Sequence, residues 1–359
     1  MSTAELAQKG RGATDVRIPP TADAVFEGGG VKGIAFAGAI AAAEEAGLEE
    51  WKNIAGTSAG AIVACLLVVG YDGKRLKEIL DEVVYSEFAD YGPLGKVQGW
   101  VWNQFRGRGL APGLFFTRWL GERIKDSPLA KRLGKEELTF EDVARDDLPP
   151  DLPPGDLERA RYRLQVIGSE ITAGRMLVLP HDIKGYYRKD GTPYTPKALT
   201  LVEAVRMSMS YPYLYAPHTL YDKQKRPHYV VDGGLLSNFP VWLFDRRDNK
   251  PGKRPTWAFR LHGGTRDEPR EPYRPVRMPF WRVALAKAMI SAATGAWDER
   301  HIVQTAGVRT INIPTFDVAT TDFNLSKENG KRLYDSGFNS TKQFLARDRT
   351  RAYLKQFDR

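Results

Sequence analysis

A single cysteine, Cys65, leaves no disulfide framework, and its place in the apolar run AIVACLLVV gives it the role of a small buried hydrophobe. Histidine is scarce too. The five residues His181, His218, His228, His262 and His301 stand apart from one another, so no zinc spacing or other metal-centre pattern is present in the sequence. Long hydrophobic runs are missing: residues 33–43 and 61–69 are the longest, far short of the roughly 18 needed to cross a bilayer. Residues 1–20 have neither an apolar h-region nor a cleavage-site pattern and read as a loose cytosolic start. Charge is not segregated. The excess of 53 Lys and Arg over 44 Asp and Glu gives +9, but it is scattered, with modest clusters at 250–254 and 266–282. No nucleic-acid module accompanies those clusters, and no direct nucleic-acid partner is expected.

What is there reads as an α/β chain. Residues 22–27 form an extended candidate, GGGVKG follows at 28–33, and the alanine-rich stretch 34–46 has strong helical propensity. A second unit repeats the plan: a short strand at 53–55, the turn GTSAG, and an almost wholly apolar helix at 59–69 that belongs in the centre of a domain. Residues 73–87 read as a helix with Leu76, Ile79, Leu80, Val83 and Val84 on one side, and 114–124 as another. Residues 146–156 are loop by composition. Strands are expected at 161–170, 174–180, 229–232, 256–261 and 309–314, and helices near the end of 193–210 and at 280–300 and 327–347. The division that follows is a flexible segment 1–21, an α/β domain 22–245, and a C-terminal α/β extension 246–359 packing against it.

Gly56-Thr57-Ser58-Ala59-Gly60 fits G-x-S-x-G. Its glycines let the chain make a strained strand-to-helix turn that projects a serine hydroxyl, and the helix that follows turns its amino-terminal end toward developing negative charge. A Ser–Asp–His enzyme needs a histidine, and none of the five lies in a distinctive catalytic context. Asp232 does: an extended Tyr229-Val230-Val231 would deliver its carboxylate to the turn Gly233-Gly234. Desolvation would make that carboxylate a better base for a serine by disfavouring its charged form. The bland alternative is an aspartate that only caps a turn. The first glycine run, Gly28, Gly29, Gly30 and Gly33, can offer backbone N–H groups to an oxyanion. It loosely fits the dinucleotide fingerprint G-x-G-x-x-G, but Ser58 follows in its own catalytic-looking turn, and phosphate-loop spacing is absent.

These three elements, GGGVKG, GTSAG and DGG, in that order, resemble the patatin-like phospholipase family over roughly residues 23–245. The resemblance implies a three-layer α/β/α fold with a central mainly parallel sheet, and acyl-lipid hydrolysis by a dyad of Ser58 and Asp232 without metal or organic cofactor. DGGLLSNFP, with Asn238 and Pro240, is similar to the family's aspartate segment. Lys32 stands where the family commonly has arginine; it keeps the charge and loses the planar fork. MSMSYPYLYAP at 207–217 matches a serine-containing segment that packs near the cleft, with Ser208, Ser210 and Pro212 in place and Met207 and Met209 bulkier than the pattern. Those methionines are candidates for an acyl pocket or for plain core. The expected partner is a phospholipid or other acyl lipid, met by a cytoplasmic protein transiently at an anionic membrane surface, a contact the +9 charge favours. Aromatic-basic stretches at 100–119 and 280–297 are candidates for that contact; core packing is favoured for the helix from 114, and the choice is even for the later one. The non-enzymatic alternative is a catalytically silent lipid-binding or regulatory protein on the same fold.

Overall fold

Period-two alternation decides where β1, Thr21–Phe26, sits: Ala22, Ala24 and Phe26 join a large core on one face of a sheet, while Val25 joins a second core on the other. The computed structural model describes residues 18–83, 87, 111–148, 150–212, 214–248, 250, 252–263, 307–320, 322 and 324–357. After β1 a 3-10 turn, Gly30–Gly33, leads into α1, Ile34–Glu45. β2, Glu50–Thr57, extends well beyond the three residues expected, because its pairing with β1 begins at Glu50. α2, Ala59–Val68, is buried on every side, as its lack of a polar face requires. Cys65 lies inside it, and burial pushes its thiol up.

α3, Gly73–Asp81, is capped by Asp72, which accepts the Arg75 N–H at 2.7 Å, and buries Leu76, Ile79 and Leu80. It ends short of residue 87; Val83 packs partly buried beyond it, and Val84 lies outside the described residues. α4, Leu114–Lys125, packs inward through Phe116, Trp119, Leu120 and Ile124 and leaves Leu114 exposed, in keeping with the preference for core packing. The aromatic residues at 100–105 and all of 280–297 lie outside the described residues. α5, Pro128–Leu133, follows. α6, Pro154–Ala160, begins inside the stretch expected to be loop: proline at a helix's first position forfeits only an N–H that has no intrahelical partner.

The next elements are β3, Leu164–Glu170, β4, Arg175–Leu179, α7, Leu201–Ser208, β5, His218–Tyr221, and β6, Pro227–Asp232. Beyond residue 245 the chain adds β7, Thr256–His262, β8, Thr310–Pro314, α8, Lys327–Ala346, and α9, Asp348–Leu354. The strand order is β5-β6-β3-β2-β1-β7-β8, with β4 also on β3. The centre, from β3 through β8, is parallel; the pairs β3–β4, β3–β6 and β5–β6 are antiparallel. Chain from beyond 245 thus lies directly against β1. Trp257 and Phe259 of β7 join the core of Phe26, and Ala258 joins that of Val25, whose cover includes the 3-10 turn Val241–Phe244.

α8 lies against α1 over a long contact, and the closeness of that approach depends on two glycines. A β-carbon on Gly38 would run into the Tyr334 carbonyl, and one on Gly337 into that of Ala35. Gly337→Ala is therefore expected to destabilise by about 1–3 kcal/mol, the overpacking cost exceeding the gain in helix propensity. Gly330→Ala, whose new methyl would meet only the Ile34 side chain at an ordinary 3.6 Å, should be neutral or stabilising. Urea unfolding of both variants checks the contrast.

Candidate active site

Between the last residue of β2 and the first of α2 stands Ser58, with φ 53° and ψ −123°, a left-handed backbone that a non-glycine residue adopts at a cost of roughly 1–3 kcal/mol. The surroundings impose it. A β-carbon on Gly60 would strike the Phe26 and Glu27 carbonyls, and one on Gly56 would strike Gly60, so the elbow is pressed against the end of β1 with no room for side chains. Thr57 Oγ1 donates to the Ser237 carbonyl at 3.1 Å, and the Ser58 N–H donates to Ser208 Oγ at 2.9 Å. Ala59 opens α2 in the core.

β3 determines what Ser58 meets. Its edge along Val166–Glu170 is taken by β4, so β2 and β6 must share the other edge. β2 pairs up to Thr57 opposite Ile167; β6, running the other way, pairs down to Asp232 opposite Gly168. The two strands meet end to end on consecutive residues of β3, and Ser58 and Asp232 are the groups at the junction.

Asp232 is buried. Its N–H donates to the Ser210 carbonyl at 2.9 Å, and its Oδ1 accepts the Gly234 N–H at 2.7 Å, which closes the turn through Gly233. Oδ2 is also buried and has no hydrogen-bond partner among the described residues. Burial pushes this carboxyl up to about 6, against the opposing pull of the Ser58 hydroxyl beside it and the Gly234 N–H. In this conformer Ser58 Oγ lies 3.8 Å from the Met209 sulfur. Met209 is partly buried against the core, whereas Met207 is wholly inside it. Of the two candidates for an acyl pocket, only Met209 therefore faces the serine.

The glycine loop is tied to the aspartate segment by Asn238. Gly28 donates its N–H to the Asn238 carbonyl at 3.0 Å and accepts from Asn238 Nδ2 at 3.1 Å. Gly28 is close enough to Ser58 that a β-carbon on it would lie 3.3 Å from the serine's own. Its N–H, expected among the oxyanion donors, is thus already committed, whereas those of Gly29 and Gly30 have no acceptor among the described residues. Gly33 ends the 3-10 turn beside Ala59. Burial lowers the Lys32 ammonium, with Glu27 opposing. Glu27 Oε2 accepts the Leu261 N–H at 2.6 Å, which joins the loop to β7.

No imidazole among the described residues is hydrogen-bonded to Ser58 or Asp232. His218 faces Glu203 at 3.7 Å, His228 faces Glu170 at 3.4 Å, and His181 packs edge-on against Tyr162. Nor do His, Cys, Asp and Glu gather anywhere among the described residues as a metal site would need. Sequence reasoning did not anticipate that Ser208 would accept the serine N–H. Two serines flanking a methionine within a matched segment were the available signal.

An α/β sheet with a strained serine turn opposite a buried carboxylate defines a hydrolase-like class of site. The chain belongs to the patatin-like phospholipase family, which it matches over residues 24–245. It is 35% identical over 327 residues to the uncharacterized protein YqhO of Bacillus subtilis strain 168, a match spanning 90% of this chain and 97% of that one. Its fold is similar to that of VipD from Legionella pneumophila, with a TM-score of 0.51 at 19% identity, covering 91% of this chain and 67% of VipD.

The raised carboxyl has a consequence for stability. The folded protein holds the Asp232 proton more tightly than the unfolded chain, so this group's contribution falls as pH rises from about 4 through about 6 and stays low above. Asp232→Asn should therefore gain on the wild type by on the order of 2–3 kcal/mol between pH 4 and pH 7.5. Urea unfolding at the two pH values measures that gain, and a constant difference would contradict it.

Proposed function

We propose that this protein is a lipid acyl hydrolase of the phospholipase A type, working through a Ser58 acyl-enzyme with Asp232 as its base. The observation that carries the reading is the end-to-end meeting of β2 and β6 on β3, which sets a hydroxyl on a strained turn beside a buried carboxylate, one of whose oxygens has no hydrogen-bond partner among the described residues. Membership of the phospholipase family supplies the substrate class.

For the first step the Ser58 hydroxyl turns from Met209 to Asp232 Oδ2 and gives up its proton there while Oγ attacks the ester carbonyl. Negative charge then collects on the former carbonyl oxygen. The N–H groups of Gly29 and Gly30 and the amino-terminal end of α2 are the donors assigned to it; Gly28, already bonded to Asn238, shapes the loop without donating. Collapse breaks the bond to the leaving alcohol, which takes the proton from Asp232. Water repeats the sequence: Asp232 removes its proton, its oxygen attacks the acyl carbon, and Ser58 Oγ leaves and is reprotonated. No histidine, metal or organic cofactor enters the scheme. The +9 charge adds attraction to an anionic membrane surface, where a cytoplasmic enzyme would meet its substrate.

Ser58→Ala should abolish ester cleavage and labelling by a fluorophosphonate. Asp232→Asn should lower both by about 10²–10⁴, and the double variant should be no worse than Ser58→Ala. In the wild type kcat/KM should rise with pH through about 6 to a plateau, because the base must be ionised. Phosphatidylglycerol and phosphatidylcholine vesicles with mass detection of the acyl group serve as the assay. Folded wild-type protein that binds vesicles yet neither acylates nor hydrolyses would establish the silent lipid-binding alternative instead.

A further inference from the structure

α7 carries a buried arginine that forms no ion pair with any carboxylate among the described residues. Arg206 Nη1 donates to Ser210 Oγ at 2.6 Å, and Nη2 donates to the Pro112 carbonyl at 3.0 Å and the Ala216 carbonyl at 3.1 Å. The Tyr215 ring lies 5.2 Å from the guanidinium carbon, and Gly113, in a left-handed turn, is so close that a β-carbon on it would press into the guanidinium. One side chain thus joins α7, the entry to α4, and the loop after α7. Burying a charge without a counter-charge is costly, and only acceptors held in a fixed fork geometry offset it.

The stretch held in this way touches both members of the dyad. Ser210 Oγ returns a bond to the Arg206 carbonyl at 3.0 Å, while the Ser210 carbonyl receives the Asp232 N–H. Two residues earlier Ser208 Oγ receives the Ser58 N–H, and between them Met209 faces Ser58 Oγ. We propose that Arg206 is a positioning residue that sets the distance between Ser58 and Asp232 by fixing residues 208–210. This inference rests on the dyad reading above. The guanidinium touches no reacting atom; it acts through Ser210. Because about 1 Å of misplacement can cost on the order of a hundredfold in rate, the loss should appear in the chemical step and not in lipid binding.

The test follows Ser58 labelling by a fluorophosphonate, counted per folded molecule, together with kcat, KM and thermal unfolding. Arg206→Met should keep its circular dichroism and a KM within about threefold of wild type, while kcat and the labelling rate fall about 10–100-fold. Arg206→Lys should recover only a small part, since an ammonium lacks the planar fork. In Arg206→Ala, millimolar guanidinium should restore labelling where sodium at the same ionic strength does not. Ser210→Ala, which leaves the arginine in place and removes its Nη1 acceptor, should slow labelling in the same direction and serves if the arginine variants do not fold. Folded variants that melt earlier but label at the wild-type rate would reduce Arg206 to a structural role. Absence of Ser58 labelling in the wild type would overturn the dyad reading itself, and the inference with it.

Discussion

The competition of two strands for one edge of β3 is the constraint on which the site depends. With β4 occupying the far edge, β2 and β6 have to divide the near one, and the division falls between Ile167 and Gly168. A register slip of one residue in either strand would turn its side chains to the opposite face of the sheet and part the serine from the carboxylate. The hydrophobic pattern holds that register from both sides: Ile54 of β2 and Val166 of β3 belong to the larger core, and Ala55 and Ile167 to the smaller one. The placement of Ser58 beside Asp232 is thus secured by the same burial that stabilises the fold.

Secondary ties then convert proximity into alignment. The elbow can tolerate φ 53° at Ser58 because β2 and α2 are both anchored in core and because Ser208 takes up the N–H exposed by the turn. Asn238 performs a comparable task for the glycine loop, spending one backbone donor, that of Gly28, to hold the loop against the aspartate turn. A loop whose every amide were free would have no fixed place beside the serine.

Much of this was legible in the sequence. Strand and helix signals, among them the alanine-rich propensity of α1 and the wholly apolar run of α2, located β1, α1, α2 and α8, since tertiary structure there agrees with local preference. GTSAG and DGG named the two side chains that the sheet brings together. The sequence did not tell that β7, more than two hundred residues away, would lie beside β1, because strand order depends on long-range packing and leaves no local trace. Buried polar partnerships were equally hidden. Asp23 accepts both the backbone and side-chain N–H of Asn53, whose own oxygen accepts from Arg145, and nothing local to any of the three announces the group. Nothing in the sequence around Arg206 announces that it lies in the interior.

In the mechanism proposed above, in which no histidine takes part, the strength of the Asp232 base is the governing quantity. A carboxyl at its ordinary value of about 4 is a feeble acceptor for a serine proton, and one raised far above neutrality would carry its own proton and accept nothing. At about 6, Asp232 gains roughly two units of basicity yet remains ~90% ionised at pH 7. Burial alone would drive the value higher. The Gly234 N–H and the Ser58 hydroxyl restrain it. The Oδ2 that makes the buried carboxylate costly, having no partner among the described residues, is the atom proposed to receive the proton, so on that proposal the cost and the capacity to act as a base have a single source.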